Sequence, residues 1–251
     1  MRATTLLKVG GAELRDGPEL ARLVEVLARL AAERQVIVVH GGGSEIADLQ
    51  KRLGLEPRFL EGLRVTDEES LRVAEMVLSG AVNKRLTARL VSCGVRAIGL
   101  SGVDAGLLCA QVLKHPKGDL GRVGEIIEVR VGVLHDLLAQ GFLPVISPIS
   151  LGPDGRPLNV NADHAALAIA GALKVAEAVF LTDVPGVWRD GAVLPKLAAA
   201  EAGRLIEGGQ ITGGMIPKVR SALRAIDQGA GSVRITNLDG FAAGSGTRIL
   251  A

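Results

Sequence analysis

The chain begins with a stretch, Leu6–Gly11, whose residue types suit the binding of an anion. Its aliphatic side chains predict a buried strand, and Lys8 lies where that strand ends in Gly10 and Gly11. Glycines allow backbone N–H groups to approach a ligand closely, and a lysine beside them adds a mobile positive charge. We therefore predict an anion-binding site at the end of this strand.

A second strand with the same kind of ending follows at Val36–His40, where β-branched residues lead into Gly41–Gly43. Two glycine-ended strands so close together in the chain predict one shared site. Each turn alone is a weak signal, because glycine also serves the close packing of a helix on a strand. Neither stretch fits the dinucleotide-binding fingerprint or the G-x-x-x-x-G-K-[ST] phosphate loop. We predict that His40 and His164 are structural rather than catalytic.

Alternating strands and helices must position these residues. Aliphatic runs predict strands along the chain, and an apolar stripe at helical spacing predicts a crossover helix over Pro18–Ala32. The alternation predicts an α/β fold whose mainly parallel, open sheet is covered on both faces. Around Gly118–Val131 the pattern favours an antiparallel hairpin. Turn residues at Leu151–Pro157 predict a boundary between an N-terminal lobe, residues 1–157, and a C-terminal lobe, residues 158–251.

Composition and charge exclude several classes of protein. The 251 residues carry a formal net charge of +2 with basic residues spread along the chain, so no electrostatic footprint for nucleic acid or an anionic membrane is present. Charges interrupt every apolar run before it reaches the roughly 18 residues that a membrane span needs. Cys93 and Cys109 are too far apart for a C-x-x-C motif and have no companion His/Cys cluster, which predicts two reduced, packed thiols. Few residues precede the first strand, so we expect no targeting peptide and a cytoplasmic protein.

Seven short motifs are together far more specific than any glycine turn. They begin at Lys8, Val39, Gly62, Asn159, Asp183, Ile211 and Gly246 and read K-V-G-G, V-H-G-G-G, G-L-R-V-T-D, N-V-N-A-D, D-V-P-G-V, I-T-G-G-M-I-P-K and G-T-R-I-L-A. In this order, over nearly the whole chain, they resemble the amino-acid kinase family. The resemblance implies a three-layer αβα sandwich in which the N-terminal lobe binds an acyl amino acid and the C-terminal lobe binds MgATP. It also implies transfer of the γ-phosphoryl group of ATP to the side-chain carboxylate of N-acetyl-L-glutamate.

Such a reaction needs positive charge more than it needs a base. A glutamate-like carboxylate has a reference pKa of roughly 4.3, so it is already ionised and nucleophilic at neutral pH. The difficulty lies in bringing two anions together, which cations and N–H donors around the phosphoryl group relieve. We predict that Lys8 and Lys218 flank this group and that Asp163 accepts hydrogen bonds from both lysines. Gly11 and Gly43 would donate backbone N–H groups. The alternatives are solvated lysines and an acid that only interacts with a helix start.

Arg64, in the G-L-R-V-T-D motif, is the predicted partner of the acceptor's α-carboxylate, because a planar guanidinium matches two carboxylate oxygens. Asn159 and Asn161 would donate to the same carboxylate or to the N-acyl group. The resemblance adds Gly42 and Gly43 to the acceptor site. Two other interpretations stay open: Arg64 as a solvated loop arginine, and the asparagines as Asx turns before a helix.

The resemblance places the nucleotide beside glycines and loops of both lobes. The residues that it implies are Gly10, Gly11, Asp183, Gly186, Ile211, Thr212, Gly213 and Met215. The same segments are also ordinary turns, so their individual contacts are open. Magnesium would arrive with ATP, bound mainly by the phosphates and water, and no residue is predicted to be a metal ligand.

Two rival functions are compatible with this pattern. One is phosphorylation of a carrier-linked or N-acetylated 2-aminoadipate, since one additional methylene is worth only about 1–3 kcal/mol of discrimination. The other is a non-catalytic sensor, although binding alone does not require two lysines and Asp163. Arginine-inhibited members of the family carry an additional N-terminal helix that joins dimers into a ring. Because Lys8 follows the start of the chain so closely, we expect a homodimer that arginine does not inhibit.

Overall fold

The computed structural model describes residues 2–189, 191–213 and 215–251. The strands in these residues are β1 (Thr4–Val9), β2 (Gln35–His40), β3 (Phe59–Leu60), β4 (Leu63–Arg64), β5 (Ala97–Gly102), β6 (Leu108–Val112), β7 (Val123–Val129), β8 (Leu143–Leu151), β9 (Pro157–Val160), β10 (Glu177–Leu181), β11 (Trp188–Arg189), β12 (Ala192–Val193), β13 (Lys196–Ala198), β14 (Val233–Thr236) and β15 (Thr247–Leu250). The α-helices are α1 (Pro18–Glu33), α2 (Gly43–Arg52), α3 (Glu68–Glu75), α4 (Asn83–Ser92), α5 (Val131–Ala139), α6 (Ala162–Leu173), α7 (Ala199–Glu207), α8 (Met215–Asp227) and α9 (Leu238–Ala242). A π-helical segment, Met76–Val82, joins α3 to α4, and 3₁₀ turns lie at Ala12–Leu14 and Asp104–Gly106.

One large sheet forms the middle of the molecule, with the strand order β13-β15-β14-β10-β1-β2-β8-β6-β7-β9 and with β5 paired to β8. Its centre is parallel, because β1 pairs in parallel with β2 and β10, and β8 pairs in parallel with β2 and β5. Antiparallel pairs join β14 to β15, β6 to β7 and β8 to β9. The predicted α/β class with a mainly parallel sheet is confirmed. Parallel strands end at the same edge of a sheet, so the ends of β1, β2 and β10 lie side by side.

Side chains of the central strands alternate between the two faces of the sheet. Leu6 of β1 and Ile37 of β2 pack in one hydrophobic core together with residues of α6 and α8. Leu7 and Val38, their neighbours along the chain, pack in a second core with residues of α1 and α4. Helices therefore cover both faces, which is the three-layer αβα arrangement that the family resemblance implies.

The structure differs from the sequence pattern in two places. A continuous helical run over residues 68–92 replaces two predicted helices, one running toward Gly80 and one beginning at Asn83. The π-helical segment carries the helix through Gly80, because Leu78 and Val82 are buried against Gly42. The antiparallel hairpin predicted around 118–131 is present, but it begins earlier, because its first arm is β6 and its second arm is β7. Because β6 is short and partly exposed, its periodicity does not reveal it as the partner.

Three further expectations bear on the architecture. Among the described residues, no helix is long and apolar enough to cross a membrane. Cys93 and Cys109 are free thiols, but Cys93 is exposed and Cys109 is only partly buried, so the prediction that both are packed is wrong for Cys93. The predicted lobe boundary falls between β8 and β9, which belong to the same sheet, and the division into lobes stays a prediction.

Candidate active site

The ends of β1 and β2 bring the two glycine turns together. The strands pair in parallel with Lys8 beside Val39, so both chains leave the sheet at the same edge. A Cβ atom on Gly11 would lie 3.2 Å from the Cα atom of Gly42. Because backbone approaches backbone this closely, the turns need glycine. The two glycine-ended strands thus meet at one place, as the sequence predicts.

A cavity of about 230 Å³, called cavity A here, opens beside these turns. All residues predicted to bind the acceptor line it, namely Gly42, Gly43, Arg64, Asn159 and Asn161. Lys8 and Asp163 line it as well, and apolar side chains such as Leu78 and Val160 complete its wall. The structure therefore gathers the predicted acceptor residues around a single space.

Arg64 is a positively charged group in cavity A whose protein partners are all neutral. Its Nη1 donates to Oε1 of Gln50 at 2.5 Å, and its Nη2 donates to the carbonyl oxygen of Gly43 at 2.9 Å. The guanidinium carbon lies 4.7 Å from the centre of the Phe59 ring. Burial lowers the pKa of Arg64, but a guanidinium stays charged at neutral pH. No carboxylate among the described residues pairs with Arg64, so this charge remains free to attract an anionic ligand.

The two asparagines play different parts in cavity A. Asn159 donates from Nδ2 to Oγ1 of Thr66 at 3.1 Å, which ties the N-V-N-A-D motif to the G-L-R-V-T-D motif. Asn161 caps α6, because its Oδ1 accepts from the backbone nitrogens of Asp163 and His164 at 2.8 and 3.4 Å. The Asx geometry that the sequence left open is thus present at Asn161. Its amide nitrogen has no protein partner in the described part of the chain and can still donate to a ligand.

A second cavity, cavity B, has a volume of about 390 Å³ and shares Lys8 and Asp163 with cavity A. Its charged and glycine residues come from both halves of the chain and are Lys8, Gly10, Gly11, Glu13, Asp163, Asp183 and Lys218. Lys8 and Lys218 therefore line one space, as the sequence predicts. Lys8 and Asp163 therefore lie between the two cavities, and we call this pair the junction of cavities A and B.

Different aspartates hold the two lysines. Nζ of Lys8 lies 3.0 Å from Oδ1 of Asp163. Nζ of Lys218 lies 3.0 Å from Oδ1 of Asp183 and also donates to Thr182. Asp163 thus contacts Lys8 alone, which corrects the expectation that it binds both ammonium groups. The reason is that Thr182 and Asp183 directly follow β10, within reach of α8, so the nearer acid binds Lys218. Hydrogen bonds from Thr182 and Lys218 lower the pKa of Asp183 to about 2.

A third cavity, cavity C, continues from cavity B at Asp183 and Lys218 and has a volume of about 350 Å³. Its other walls include Trp188, Ile211, Thr212 and Met215. Aromatic and apolar side chains beside a lysine suit a ligand that is flat at one end and anionic at the other. Each cavity thus shares two residues with the next, a lysine and an aspartate in both cases.

Two glycines with a predicted role in nucleotide binding lie outside the lining of these three cavities. A Cβ atom on Gly186 would lie 2.6 Å from Cγ1 of Val193 and 2.7 Å from Oγ1 of Thr247, so close packing accounts for this glycine. Gly213 has a φ of +57°, in the left-handed region that favours glycine. Both glycines have a local structural cause, and their contact with a nucleotide stays a prediction.

His40 is fully buried behind the second glycine turn. Its Nδ1 donates to the carbonyl oxygen of Gly41 at 3.0 Å, and its Nε2 accepts from Nδ2 of Asn83 at 3.1 Å. Asn83 also donates to the carbonyl oxygen of Val145 at 2.9 Å, which settles the orientation of its amide and hence the tautomer of His40. Burial lowers the pKa of His40 to about 4, so the ring is neutral at pH 7. His40 lines none of the three cavities, which agrees with a structural role.

Three polar residues that lie in or next to the site were not identified from the sequence. Gln50 is 1% exposed and lies one helical turn after Ile46, another buried residue of α2. A polar residue on the apolar face of a predicted helix indicates a buried polar group, so the sequence does carry a signal for Gln50. Glu13 lines cavity B just after the first glycine turn, and Thr182 precedes Asp183. Neither of these two has a sequence signal, because both depend on how the loops fold.

Known proteins resemble this chain over most of its length. Residues 3–237 match the model of the amino acid kinase family. The acetylglutamate kinase of Roseiflexus sp. (strain RS-1) is 54% identical over 240 residues, which cover 96% of this chain and 91% of that protein. The acetylglutamate kinase of Chloroflexus aurantiacus (strain ATCC 29366 / DSM 635 / J-10-fl) is 48% identical over 249 residues, covering 99% of this chain and 97% of its own length.

Solved structures share the fold. N-acetylglutamate synthase from Neisseria gonorrhoeae, complexed with coenzyme A and N-acetyl-glutamate, matches with a TM-score of 0.87 and 26% identity over 99% of this chain and 59% of that one. Carbamate kinase from Giardia lamblia bound to AMP-PNP matches with a TM-score of 0.71 and 18% identity over 99% of this chain and 98% of that one, which shows the fold alone. Since the family model and both of these kinases match nearly all of its length, the chain belongs to the amino acid kinase family.

Proposed function

We propose that this chain is an acetylglutamate kinase of arginine biosynthesis, which transfers the γ-phosphoryl group of ATP to the side-chain carboxylate of N-acetyl-L-glutamate. The observation that carries the proposal is the junction of cavities A and B at Lys8 and Asp163. An acceptor in cavity A and a nucleotide in cavities B and C would meet at this junction. Relatives named acetylglutamate kinase, at 44% to 54% identity, support the choice of acceptor.

Arg64 would bind the α-carboxylate of the acceptor. No carboxylate of the described residues compensates its charge, and its remaining N–H groups can donate to two carboxylate oxygens. Asn159 and Asn161 would donate amide hydrogens to the same carboxylate or to the N-acyl group. With one end of the acceptor fixed at Arg64, its side-chain carboxylate would extend toward Lys8, which also lines cavity A.

Lys8 and Lys218 would stabilise the negative charge of the transferring phosphoryl group. The acceptor carboxylate is ionised at neutral pH, so its oxygen can attack the γ-phosphorus without a general base. The new O–P bond forms as the bond to ADP breaks, and ADP leaves with the electron pair. Backbone N–H groups of Gly11 and Gly43 would donate to phosphoryl oxygens, because preorganised donors favour the charge of the transition state. Asp163 would keep the ammonium of Lys8 at the junction.

The residues of cavity B fit a hydrated magnesium ion that arrives with ATP. Oε2 of Glu13 is buried and has no hydrogen-bond partner in the described part of the chain. The carboxylate lies over Gly10, where a Cβ atom would be 2.9 Å from this oxygen. Magnesium keeps several waters when it binds to proteins, and Glu13 would accept hydrogen bonds from such waters. The ion itself, when bound, neutralises charge on the β- and γ-phosphates.

Formation of ADP from ATP with defined acceptors tests the proposal. We expect turnover with N-acetyl-L-glutamate and a kcat/KM for N-acetyl-2-aminoadipate that is lower by about tenfold or more, since one methylene is worth about 1–3 kcal/mol. Faster turnover of the aminoadipate derivative would assign the chain to lysine biosynthesis instead. Failure to form ADP with either acceptor would indicate a binding protein.

We also propose that the chain forms a homodimer in the cytoplasm. Size-exclusion chromatography with light scattering measures the assembly. A monomer or a hexamer in solution would contradict this part of the proposal.

A further inference from the structure

A buried glutamine, Gln50, contacts Arg64 but does not itself line cavity A. Gln50 belongs to α2 and is 1% exposed. Its Oε1 accepts a hydrogen bond from Nη1 of Arg64 at 2.5 Å, and its Nε2 donates to Oγ of Ser70 on α3 at 2.9 Å. Only this orientation of the amide fits, because a flipped amide would turn its NH₂ group toward a guanidinium that cannot accept a hydrogen bond.

The hydrogen bonds that hold Gln50 lead back to the G-L-R-V-T-D motif, which also contains Arg64. Asp67 caps α3, because its Oδ1 accepts from the backbone nitrogen of Ser70 at 2.8 Å. Ser70 is buried and accepts from Gln50, so the cap, the serine and the glutamine form one connected series of hydrogen bonds. The first turn of α3 therefore fixes Ser70, and Ser70 in turn fixes the position of the Gln50 amide.

These contacts orient the guanidinium and leave its charge uncompensated. Nη2 donates to the carbonyl oxygen of Gly43 at 2.9 Å, and the Phe59 ring lies 4.7 Å from the guanidinium carbon. Gln50, Gly43 and Phe59 are all neutral, and no described residue offers a carboxylate to Arg64. A guanidinium has five N–H groups, of which the contacts to Gln50 and Gly43 use two. The others remain for a ligand in cavity A.

We propose that Gln50 is a positioning residue that sets the orientation of Arg64 and thereby the affinity for the acceptor. This inference rests on the proposed binding of the acceptor's α-carboxylate by Arg64. An apolar side chain at position 50 would leave Nη1 without its buried acceptor, so the guanidinium would turn away from its present direction. A carboxylate at this position would hold the guanidinium but compensate its charge, and would thus compete with the acceptor. A neutral amide oxygen avoids both effects.

The test compares Gln50→Met and Gln50→Glu with the wild type and with Gln140→Glu, a control at an exposed position after α5. The measurements are kcat, KM for N-acetyl-L-glutamate, KM for ATP, and calorimetric binding of N-acetyl-L-glutamate. We expect both Gln50 variants to raise KM and Kd for the acceptor about tenfold, while kcat stays within about threefold and KM for ATP is unchanged. Tenfold corresponds to about 1.4 kcal/mol, which is comparable to one hydrogen bond to a charged group. The control should match the wild type.

The pH profile separates the two variants. Lower pH protonates the carboxylate introduced in Gln50→Glu, so its acceptor affinity should partly recover, whereas that of Gln50→Met should not. A merely structural defect would lower kcat and weaken both substrates together, and that result would overturn the proposal. An unchanged KM for the acceptor in Gln50→Met would also overturn the proposal. If Gln50→Met does not fold, an unchanged KM in Gln50→Glu has the same consequence. If the wild type itself neither binds N-acetyl-L-glutamate nor forms ADP with it, the proposed function fails, and the inference with it.

Discussion

Replacement of Lys8 by alanine tests the junction of cavities A and B most directly. Nζ of Lys8 lies 3.0 Å from Asp163, and the lysine side chain is 17% exposed, so its charge acts where water screens it only in part. Two unit charges 4 Å apart interact by about 4 kcal/mol at an effective dielectric constant of about 20. Removal of one preorganised donor from a comparable site costs about 2.7–4 kcal/mol. At about 1.4 kcal/mol for each factor of ten, kcat should fall by about 10²- to 10³-fold.

ADP formation at saturating concentrations of both substrates measures this loss. Lys51→Ala, which removes an exposed lysine from α2, is the matched control and should keep kcat within about twofold of the wild type. Thermal unfolding followed by circular dichroism shows whether the variants keep the fold. If Lys8→Ala folds and its kcat remains within about tenfold of the wild type, Lys8 does not stabilise the transferring group and the reasoning is refuted.

The ion pair of Lys8 with Asp163 provides a second measurement. Lys8→Ala leaves the carboxylate of Asp163 uncompensated beside the space proposed for the phosphates, so repulsion should add to the loss of the cation. The double variant Lys8→Ala/Asp163→Asn should therefore bind ATP more tightly than Lys8→Ala, although its kcat stays low. Weaker binding of ATP by the double variant would show that Asp163 has a different role.

The other predictions concern the acceptor, the metal ion and pH. Arg64→Ala should raise KM for N-acetyl-L-glutamate about 30-fold or more with a smaller change in kcat, because truncation of one partner of a charged hydrogen-bonded pair costs about 2–5 kcal/mol; an unchanged KM would remove Arg64 from the site. Glu13→Gln should reduce the gain in ADP affinity that Mg²⁺ produces in calorimetry and leave the affinity for ADP in EDTA unchanged; an equal gain would exclude Glu13 from the magnesium environment. Because the pKa of His40 is about 4 in the fold and about 6.5 when unfolded, its contribution to stability is present above pH 6.5 and is lost as pH falls toward 4. In urea unfolding, the free energy of unfolding of the wild type should fall by about 2–3 kcal/mol more than that of His40→Asn between pH 7 and 4.5. His135→Asn, at an exposed position, is the control and should behave like the wild type. Equal losses of free energy in the wild type and His40→Asn would contradict this prediction.

Local patterns predict the part of the site that β1 and β2 form. Aliphatic runs and glycines are visible in the sequence, and parallel pairing then brings Lys8, Gly11 and Gly42 to one edge. Asp163 and Lys218 lie far along the chain, and the resemblance of whole motifs, rather than periodicity, connected them with Lys8. The α/β class follows from the alternation of elements, whereas the π-helical segment does not, because burial against Gly42 overrides the stop signal at Gly80.

The hydrogen-bond and ion-pair partners of a side chain are harder to predict from the sequence than the place of its residue in the fold. Which of two nearby carboxylates an ammonium contacts depends on rotamers and on the distance from β10 to α8, so the pairing of Lys218 with Asp183 is not visible in the sequence. Gln50 stands on an apolar helix face, which signals a buried polar group. Its partner Arg64 lies on β4, within the β3–β4 hairpin, and no pattern in the sequence connects the two residues.

In the proposed binding mode, the order of charges along the cavities would direct the phosphoryl group to the side-chain carboxylate and not to the α-carboxylate. Lys8 and Lys218 are each paired with an aspartate, whereas Arg64 has no acid partner among the described residues. An acceptor with two carboxylates binds one of them most strongly where positive charge is least compensated, which is at Arg64. The other carboxylate would then face Lys8, which lines both cavities. If Arg64 holds the α-carboxylate, as proposed, this group is attached without the two methylenes of the side chain and would stay away from Lys8, so the phosphoryl group would reach only the side chain.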